Sequence, residues 1–479
     1  MKAKYYIALV GLLFTTSLLK AQNSVDTFAK AIKAKRLKEH VYILASDSCE
    51  GRNIGTVGIE RARNYIVSQW ETSAVIKPYF ADTWLQPFPL VTYSDRITEL
   101  QAGDLKFTHF EDYMYTGEYD NFSKDLPIVF AGYGRDEDLK KIDVKGKAVF
   151  TLSNNLRVAM KNAKKALEYG AELSIIANPE NTNQFESISR QYKDFQKYKR
   201  YKAPTDTAIR RLNIRGLEYR YVAISSQTVK ELTNQSISHW KNKRVEENDT
   251  IGSVKLAVKS VTTDTIIENN VVAFIPGIHN DESIVIGAHY DHLGVMDDEV
   301  YHGADDNASG VAALIELASI FSQAYNDGYV PQKNIIFIAF SGEEGGLWGS
   351  KYFADHLKNK EHIKLMMNID MIGRADTDHS DNSSYFYFIS NFLADSLLTQ
   401  NKQLCKKYNL TPDYSSTIDA SDHKSFTDIG VPNIFYFDGI NPDLHKPTDT
   451  PNKVDYKRME KITRMIFETI WENALVSEK

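Results

Sequence analysis

The stretch SIVIGAHYD, residues 283–291, decides the fold of this chain, because an apolar run ends directly in a histidine and an aspartate. A short apolar run bounded by polar residues predicts a buried β-strand. Three later runs have the same character: NIIFIAF (334–340), KLMMNI (364–369) and NIFYF (433–437). Segments with helical periodicity occur at 58–70, 308–324, 347–357 and 459–475. Strands that alternate with helices predict an α/β three-layer sandwich, in which helices flank a mostly parallel central sheet.

Polar residues stand where three of these predicted strands end. In chain order they are His289, the pair Glu343–Glu344, and Asp370. Two loops add the pair Asp305–Asp306 and His445. In open α/β sheets, ligands bind in the crevice outside the carboxyl ends of the strands. We therefore expect these side chains to meet at one edge of the sheet.

Imidazole and carboxylate groups are the ligands that zinc takes where no thiolate is offered, and the chain has no Cys-x-x-Cys pair. A carboxylate has two oxygens and can bridge two ions. Hydrolases use two metals about 3.5–4 Å apart to hold both the attacking and the leaving atoms. The residue types therefore favour a two-metal hydrolytic site.

Each of these residues also has a simpler interpretation. Asp305 or Asn307 could cap the helix that begins near residue 308. Glu343 and Glu344 could form a solvated surface pair, but they follow a buried strand, where like charges repel unless cations hold them. The chain contains no His-Glu-x-x-His helix, no Gly-x-Ser-x-Gly elbow and no phosphate-binding P-loop.

Several motifs together resemble the dizinc exopeptidases, the family of bacterial leucyl aminopeptidases and glutamate carboxypeptidase. The motifs are GAHYDHLG (287–294), HGADDNASG (302–310), SGEEGGLWGS (341–350), NIDMIGR (368–374), SDHKSF (421–426) and LHKPTDT (444–450). A further stretch, LASDSCEGRNIGT (44–56), is similar to the segment that often opens secreted members.

The resemblance implies a ligand set for two zinc ions. His289 and Asp370 would hold one ion. Glu344 and His445 would hold the other, and Asp306 would bridge the two. The family places its bridging aspartate three residues before the serine of Ser-Gly, which makes the preceding aspartate the less favoured bridge.

The resemblance also implies roles around the metals. Glu343 would be the general base. Asp291 would contact His289 from behind and fix its tautomer, and Asp449 could do the same for the last histidine ligand.

The donor that steadies the oxyanion is left open. Some family members have a tyrosine at the positions that are Leu444 and Ile418 in this chain. Tyr436 and Tyr414 are alternative candidates, and zinc alone is an equal alternative.

The middle of the chain has a different texture. Strand-like runs at 126–134, 147–152, 171–178 and 219–225 surround a helix-like segment at 157–169. The motifs VFAGYG and DVKGKAVF (143–150) look like the protease-associated domain that many family members carry as an insert. We predict an insert at 120–255 within a discontinuous exopeptidase domain at 22–119 and 256–479. The Tyr-, Lys- and Arg-rich stretch Gln191–Lys202 favours a solvated insertion over a nucleic-acid patch.

The N-terminus predicts export. Lys2 and Lys4 precede an apolar stretch, Tyr5–Leu19, that is shorter than the roughly 20 residues of a membrane span. We expect a signal peptide at 1–21, a periplasmic or extracellular location and no membrane anchor after its removal. The net charge of −6 gives no push toward nucleic acid. Whether the two cysteines, Cys49 and Cys405, pair is left open.

The expected function is removal of N-terminal residues from peptides by a dizinc aminopeptidase. One alternative is a carboxypeptidase of the glutamate carboxypeptidase type, which needs arginines for a terminal carboxylate; Arg200, Arg210 and Arg211 are available. The others are a glutaminyl-cyclase-type acyltransferase, which typically uses one zinc, and a noncatalytic receptor-like protein, which would lose ligands. Oligomeric state and preferred side chain are left open.

Overall fold

The structure is a computed structural model, and it describes most of the chain. The described residues are 24–93, 97–116, 122–180, 185–186, 189–190, 193, 200–202, 220–247, 250–259, 262–357, 359, 362–380, 382, 384–390, 395–415, 421–474 and 477–478. The predicted signal peptide at 1–21 lies outside them, as do Arg210, Arg211 and Ile418. Gln191–Lys202 is described only in part.

The described chain divides into two compact units. The first contains the residues up to Pro89 together with Ile267–Lys479, and the second is Leu90–Ile266. The second unit begins earlier in the chain than the predicted insert, because the strands Ile97–Ala102 and Tyr113–Thr116 pair within its sheet. Its interpretation as a protease-associated-like insert stays a prediction.

The first unit contains both helices and strands. Its helices are Ala34–Leu44, Val57–Trp70, Gly310–Asn326, Trp348–Asp355, Asp395–Tyr408, His423–Asp428 and Tyr456–Asn473, with a helical stretch at 24–31. Strands that lie wholly or partly in it are Lys77–Pro78, Leu85–Tyr93, Thr262–Ile275, His279–His289, Gly294–Met296, Glu299–Tyr301, Tyr329–Val330, Lys333–Phe340, Ile363–Ile369, Tyr385–Ile389, Thr411–Ser415, Asn433–Phe437 and Ser477–Glu478.

The centre of its large sheet is parallel. His279–His289 pairs in parallel with Lys333–Phe340 on one side and with Ile363–Ile369 on the other. Asn433–Phe437 continues the sheet in parallel beside Ile363–Ile369. The strands that flank this centre in antiparallel pairing are Thr262–Ile275 and Tyr385–Ile389. The carboxyl ends of the four parallel strands therefore meet at one edge.

Alternate residues of the central strand pack against helices on opposite faces. Ile284 and Ile286 belong to one hydrophobic cluster, and Val285 belongs to another that contains Phe353 and Phe426. Helices that contribute to the first cluster are Ala34–Leu44, Val57–Trp70, Gly310–Asn326 and Tyr456–Asn473. Because successive strand residues point to opposite faces, a sheet covered on both sides needs a continuous apolar run. The predicted three-layer α/β fold is confirmed.

The predicted element types hold in this unit, with shifted ends. The predicted strand 283–288 extends over His279–His289, and the predicted helix 308–324 lies at Gly310–Asn326. The stretch 44–56 contains a tight 3-10 turn, Asp47–Arg52. Cys49 and Cys405 are both buried and are not joined in a disulfide.

The second unit is built around its own sheet and core. Its sheet order is Leu105–Phe107, Ile97–Ala102, Thr250–Lys259, Phe122–Phe130, Ala148–Leu152, Leu173–Ala177, Tyr221–Ile224 and Tyr113–Thr116. Its helices are Asp136–Leu139, Leu156–Glu168, Ser226–Thr233 and Ile237–Asn242. Buried residues such as Phe130, Phe150 and Trp240 pack together there. Across the described ranges, none of the helices combines the length and the apolar character needed to cross a bilayer.

Candidate metal centre

The strand ends deliver their polar side chains to one place. His289 is the last residue of its strand, and Asp370 follows the neighbouring parallel strand. Glu343 and Glu344 follow the parallel strand on the other side, after a turn through Ser341. The expectation from parallel topology therefore holds, because all three strands end at the same sheet edge.

One group of side chains surrounds the Nε2 atom of His289. Asp370 Oδ1 lies 3.2 Å from it and Asp306 Oδ1 lies 3.4 Å from it. All three residues are buried, and they have the composition and spacing of a metal-binding group. Ser421 donates a hydrogen bond of 2.8 Å to Asp370 Oδ2, which leaves Oδ1 turned toward the imidazole.

A second group surrounds Glu344. His445 Nε2 lies 3.0 Å from Glu344 Oε2 and 3.2 Å from Asp306 Oδ2. His292 Nδ1 lies 2.6 Å from Glu344 Oε1 and 3.8 Å from Asp306 Oδ2. Asp306 thus presents one oxygen to His289 and the other to the second group. This is the arrangement that a bridging carboxylate requires.

Asp291 holds the backbone of the turn that carries Glu343 and Glu344. It is fully buried, and its two oxygens accept hydrogen bonds from the backbone N–H groups of Glu343 and Glu344, at 3.1 and 3.3 Å. Its Oδ1 also lies 3.8 Å from His289 Nδ1, so the predicted role of Asp291 in fixing the tautomer of His289 stays a prediction. The Asp291 carbonyl lies 3.3 Å from the same nitrogen, so Nδ1–H can donate to it and leave Nε2 free for a metal.

Asp449 has a similar backbone role on the other side. Its carboxylate accepts hydrogen bonds from the N–H groups of Asp305 and Asp306, at 3.0 to 3.1 Å. The suggestion that it contacts the His445 imidazole is therefore not what the geometry shows. Asp305 itself points away from the centre, since its oxygens accept hydrogen bonds from Gly373 N and Asn441 Nδ2. This agrees with the choice of Asp306 over Asp305 as the bridge.

Part of this sequence is similar to known proteins. Residues 270–470 match the family model described as Peptidase family M28. The match is confined to this part of the chain. A probable leucine aminopeptidase of Arthroderma otae is 29% identical over 220 residues, which are 43% of this chain and 57% of that one. Aminopeptidase YwaD of Bacillus subtilis is 27% identical over 42% of this chain and 43% of its own length. The chain thus spans about half the length of these relatives.

Two solved structures resemble this chain over nearly its full length. An aminopeptidase from Aneurinibacillus sp. strain AM-1 has a TM-score of 0.62 and 19% identity, covering 95% of this chain and 97% of that one. BSAP, a zinc aminopeptidase from Bacillus subtilis, has a TM-score of 0.54 and 20% identity, covering 94% and 96%. At these identities the likeness establishes the fold.

The imidazoles of this site lie among several carboxylates. Burial disfavours the charged form of His289, but nearby carboxylates, Asp370 first among them, outweigh it and hold its pKa well above the ordinary value. The same balance raises the pKa of His445, where Glu344 contributes most to overcoming burial. A cluster that draws protons onto its imidazoles also attracts divalent cations, which compete for the same nitrogen atoms.

The two adjacent glutamates have opposite properties. Burial raises the pKa of Glu343 well above its usual range. Burial acts on Glu344 in the same direction, but the imidazoles of His445 and His292 outweigh it, so the pKa of Glu344 is held well below its usual range. A pair of carboxylates whose pKa values are pushed apart suits one for proton transfer and the other for a permanent charge.

Of the two oxyanion candidates, the structure describes the side chain of Tyr436 only. The Tyr436 hydroxyl is buried and donates a hydrogen bond to Asn401 Oδ1 at 3.1 Å, which directs it into the core. Tyr414 lies in the strand Thr411–Ser415, and its side chain is not among the described ones.

His292 is the residue that the sequence reasoning missed. It lies inside GAHYDHLG, three residues after His289, and its side chain is buried beside Glu344. Because His292 lies past the end of the strand, the alternation of strand residues does not predict where its side chain points. The recurrence of histidine within one ligand motif was the available hint.

Proposed function

We propose that this chain is a dizinc metallopeptidase of the aminopeptidase type, which removes N-terminal residues from peptides. The observation that carries the proposal is Asp306, which offers one oxygen to the His289 group and the other to the Glu344 group. The M28 family match and the aminopeptidase names of the relatives support the peptide substrate. The zinc aminopeptidase among the similar structures supports the choice of metal.

The donor set fits zinc without thiolates, because it consists of imidazoles and carboxylates only. His289, Asp370 and Asp306 would hold one ion. Asp306 and Glu344 would hold the other, together with His445. Zinc bound at such a site lowers the pKa of a coordinated water to about 7 and polarises a substrate carbonyl.

Glu343 is the proton carrier in this proposal. Its backbone is held by Asp291, and its Oε2 lies 4.0 Å from His289 Nε2, at the edge of the ligand group rather than within it. Its raised pKa lets the carboxylate accept a proton from the attacking water and later donate that proton to the leaving amine. Glu344, with its depressed pKa, remains an anion throughout.

The carboxypeptidase alternative has no support among the described residues of the first unit, since the arginines named for it lie elsewhere in the chain. Arg200 belongs to the second unit. The full set of imidazole and carboxylate donors argues against a receptor-like protein. We also propose export, on the strength of the paired lysines and the apolar stretch Tyr5–Leu19. The N-terminal residue of the secreted protein tests it by mass spectrometry.

The decisive test combines metal content with substrate choice. The Glu343→Gln variant should keep two zinc ions per chain and lose activity by about 10²–10⁴-fold, because only proton transfer is removed. Glu344→Gln is the matched control, and it should lose zinc as well as activity. The assay compares aminoacyl chromophores with N-blocked dipeptides, with and without chelator. Hydrolysis of N-blocked substrates alone would overturn the aminopeptidase assignment, and an active Glu343→Gln enzyme would overturn the role of the base.

A further inference from the structure

We propose that Arg52 is a positioning residue for the metal centre: its guanidinium holds the two ligand-bearing loops in place through their main-chain carbonyls. The role of these loops rests on the proposed function. Arg52 belongs to the LASDSCEGRNIGT segment. None of the catalytic roles proposed above involves a residue of this segment.

The guanidinium is fully buried and donates four hydrogen bonds, all of them to backbone oxygens. Nε donates to Tyr290 O at 2.9 Å. Nη1 donates to Leu44 O at 2.7 Å and to His302 O at 2.8 Å, and Nη2 donates to Gly303 O at 2.9 Å. Within the described chain, Arg52 makes no ion pair. A buried arginine without a carboxylate partner is unusual, because burying a charge is costly unless it is paired.

Its acceptors lie in the segments that carry the metal-binding side chains. Tyr290 is the residue between His289 and Asp291, and Gly303 lies three residues before Asp306. The main chain of Arg52 contributes as well, since its carbonyl accepts a hydrogen bond of 3.1 Å from His292 N. One side chain and its own carbonyl thus join the first ligand loop to the bridging loop.

The turn that presents Arg52 is built for close approach. Glu50, Gly51 and Arg52 all have positive φ, at 48°, 64° and 52°. A Cβ on Gly51 would lie 2.4 Å from Gly294 O and 2.5 Å from Tyr301 O, so only glycine fits there. Left-handed backbone at two non-glycine residues is unfavourable and persists only where surrounding contacts enforce it. Those contacts are the carbonyls that the guanidinium binds.

The positive charge of Arg52 also lies near carboxylates of the centre. Asp306, Asp291 and Asp449 are the carboxylates whose charges act on the guanidinium, and all three are buried. Charge and geometry can be separated by substitution. Lysine keeps the charge but has one nitrogen in place of three, so it cannot span four carbonyls at once. Methionine keeps the apolar stem and removes both charge and donors.

The control is Arg36→Met. Arg36 Nε lies 2.7 Å from Glu316 Oε2, and Glu316 is fully buried. Removing this partner leaves a buried carboxylate unpaired and destabilises the same unit without touching the loops at 287–307. A general loss of stability therefore appears in the control, whereas a loss of loop positioning does not.

The experiment measures two quantities for wild type, Arg52→Lys, Arg52→Met and Arg36→Met. The first is the zinc dissociation constant from competition with a chromophoric chelator. The second is hydrogen–deuterium exchange of peptides spanning 287–307 in the metal-free protein. Both Arg52 variants should bind zinc at least about 10-fold more weakly, the size of effect found for groups that orient metal ligands. Both should exchange faster over 287–307, and the control should do neither.

Three results would overturn the inference. In the first, both Arg52 variants have a zinc affinity and an exchange rate within twofold of wild type. In the second, Arg52→Lys behaves like wild type and Arg52→Met does not, and in the third, neither variant folds. The second result would assign the effect to charge, and the third to general structure. If wild-type protein binds no zinc, the proposed function fails, and the exchange measurement still decides whether Arg52 positions the loops.

Discussion

Glu344 lies between two imidazoles, and each imidazole faces a different oxygen. His292 Nδ1 is 2.6 Å from Oε1, and His445 Nε2 is 3.0 Å from Oε2. The Nε2 atom of His292 is buried, and it has no hydrogen-bond partner among the described residues. A nitrogen left without a partner favours the tautomer that carries its proton on Nδ1 and donates it to Glu344. His292 would then orient the carboxylate, and His445 would bind the metal.

This division of roles predicts different outcomes for two substitutions at one position. In His292→Asn, the amide nitrogen replaces Nδ1 as a donor, so the second zinc and most of the activity should be kept. In His292→Ala, Glu344 loses its donor, and zinc affinity at the second position should fall by about 10–100-fold. Zinc titration and kcat measure both effects. An asparagine variant that loses the second zinc as completely as the alanine variant would identify His292 as a ligand instead.

At the scale of elements, the contact between the helices Ala34–Leu44 and Val57–Trp70 contains a buried titratable group. His40 Nδ1 lies 2.7 Å from the Tyr65 hydroxyl, and its Nε2 is buried without a hydrogen-bond partner among the described residues. Burial, followed by the nearby Arg36 cation, lowers the pKa of His40 to about 4. The helices therefore pack around a neutral imidazole.

The lowered pKa makes this packing sensitive to acid. Below the ordinary histidine pKa of about 6.5, the unfolded chain binds a proton that the folded chain does not. The free energy of unfolding should therefore fall by about 1.4 kcal/mol per pH unit as the pH drops from about 6.5 toward 4, with no contribution above that range. Urea unfolding of wild type and His40→Gln measures it as a difference in slope. Tyr65→Phe should keep the wild-type slope, because burial is the larger cause; equal slopes for wild type and His40→Gln would refute the assignment.

At the scale of the whole molecule, the two units have separate cores. The large cluster around Ile286 and the smaller one around Phe353 lie in the first unit. The clusters around Phe150 and Val149 lie in the second. All the candidate metal ligands belong to the first unit, so metal binding should stabilise that unit alone.

Metal removal should therefore act on one of two thermal transitions. A ligand present at 1,000 times its dissociation constant stabilises the folded state by about 4 kcal/mol. We expect chelation to lower the melting temperature of the first unit by several degrees and to leave that of Leu90–Ile266 unchanged. Differential scanning calorimetry with and without chelator measures both. A single transition, or equal shifts of both, would show that the units do not respond separately.

The local pattern of the sequence determined the central strands, the flanking helices and four residues of the site. His289 and Asp370 stand directly after apolar runs, and Glu343 and Glu344 follow another run after two residues. Parallel strands must bring such ends together. The period of the hydrophobic residues is set by neighbours in the chain. It can therefore be read from the sequence without knowing what distant parts of the chain do. The positions of Asp306 and His445, which lie in loops, came from resemblance to a family.

Only the tertiary structure decided which atoms the remaining buried groups face. It turned the carboxylates of Asp291 and Asp449 toward backbone N–H groups, and it directed the Tyr436 hydroxyl into the core. It also brought Arg52 beneath loops more than two hundred residues away in the chain. Hydrogen bonds depend on ångström-scale distance and direction between segments. Spacing along the chain contains no such information, and only the packed sheet and its turns supply it.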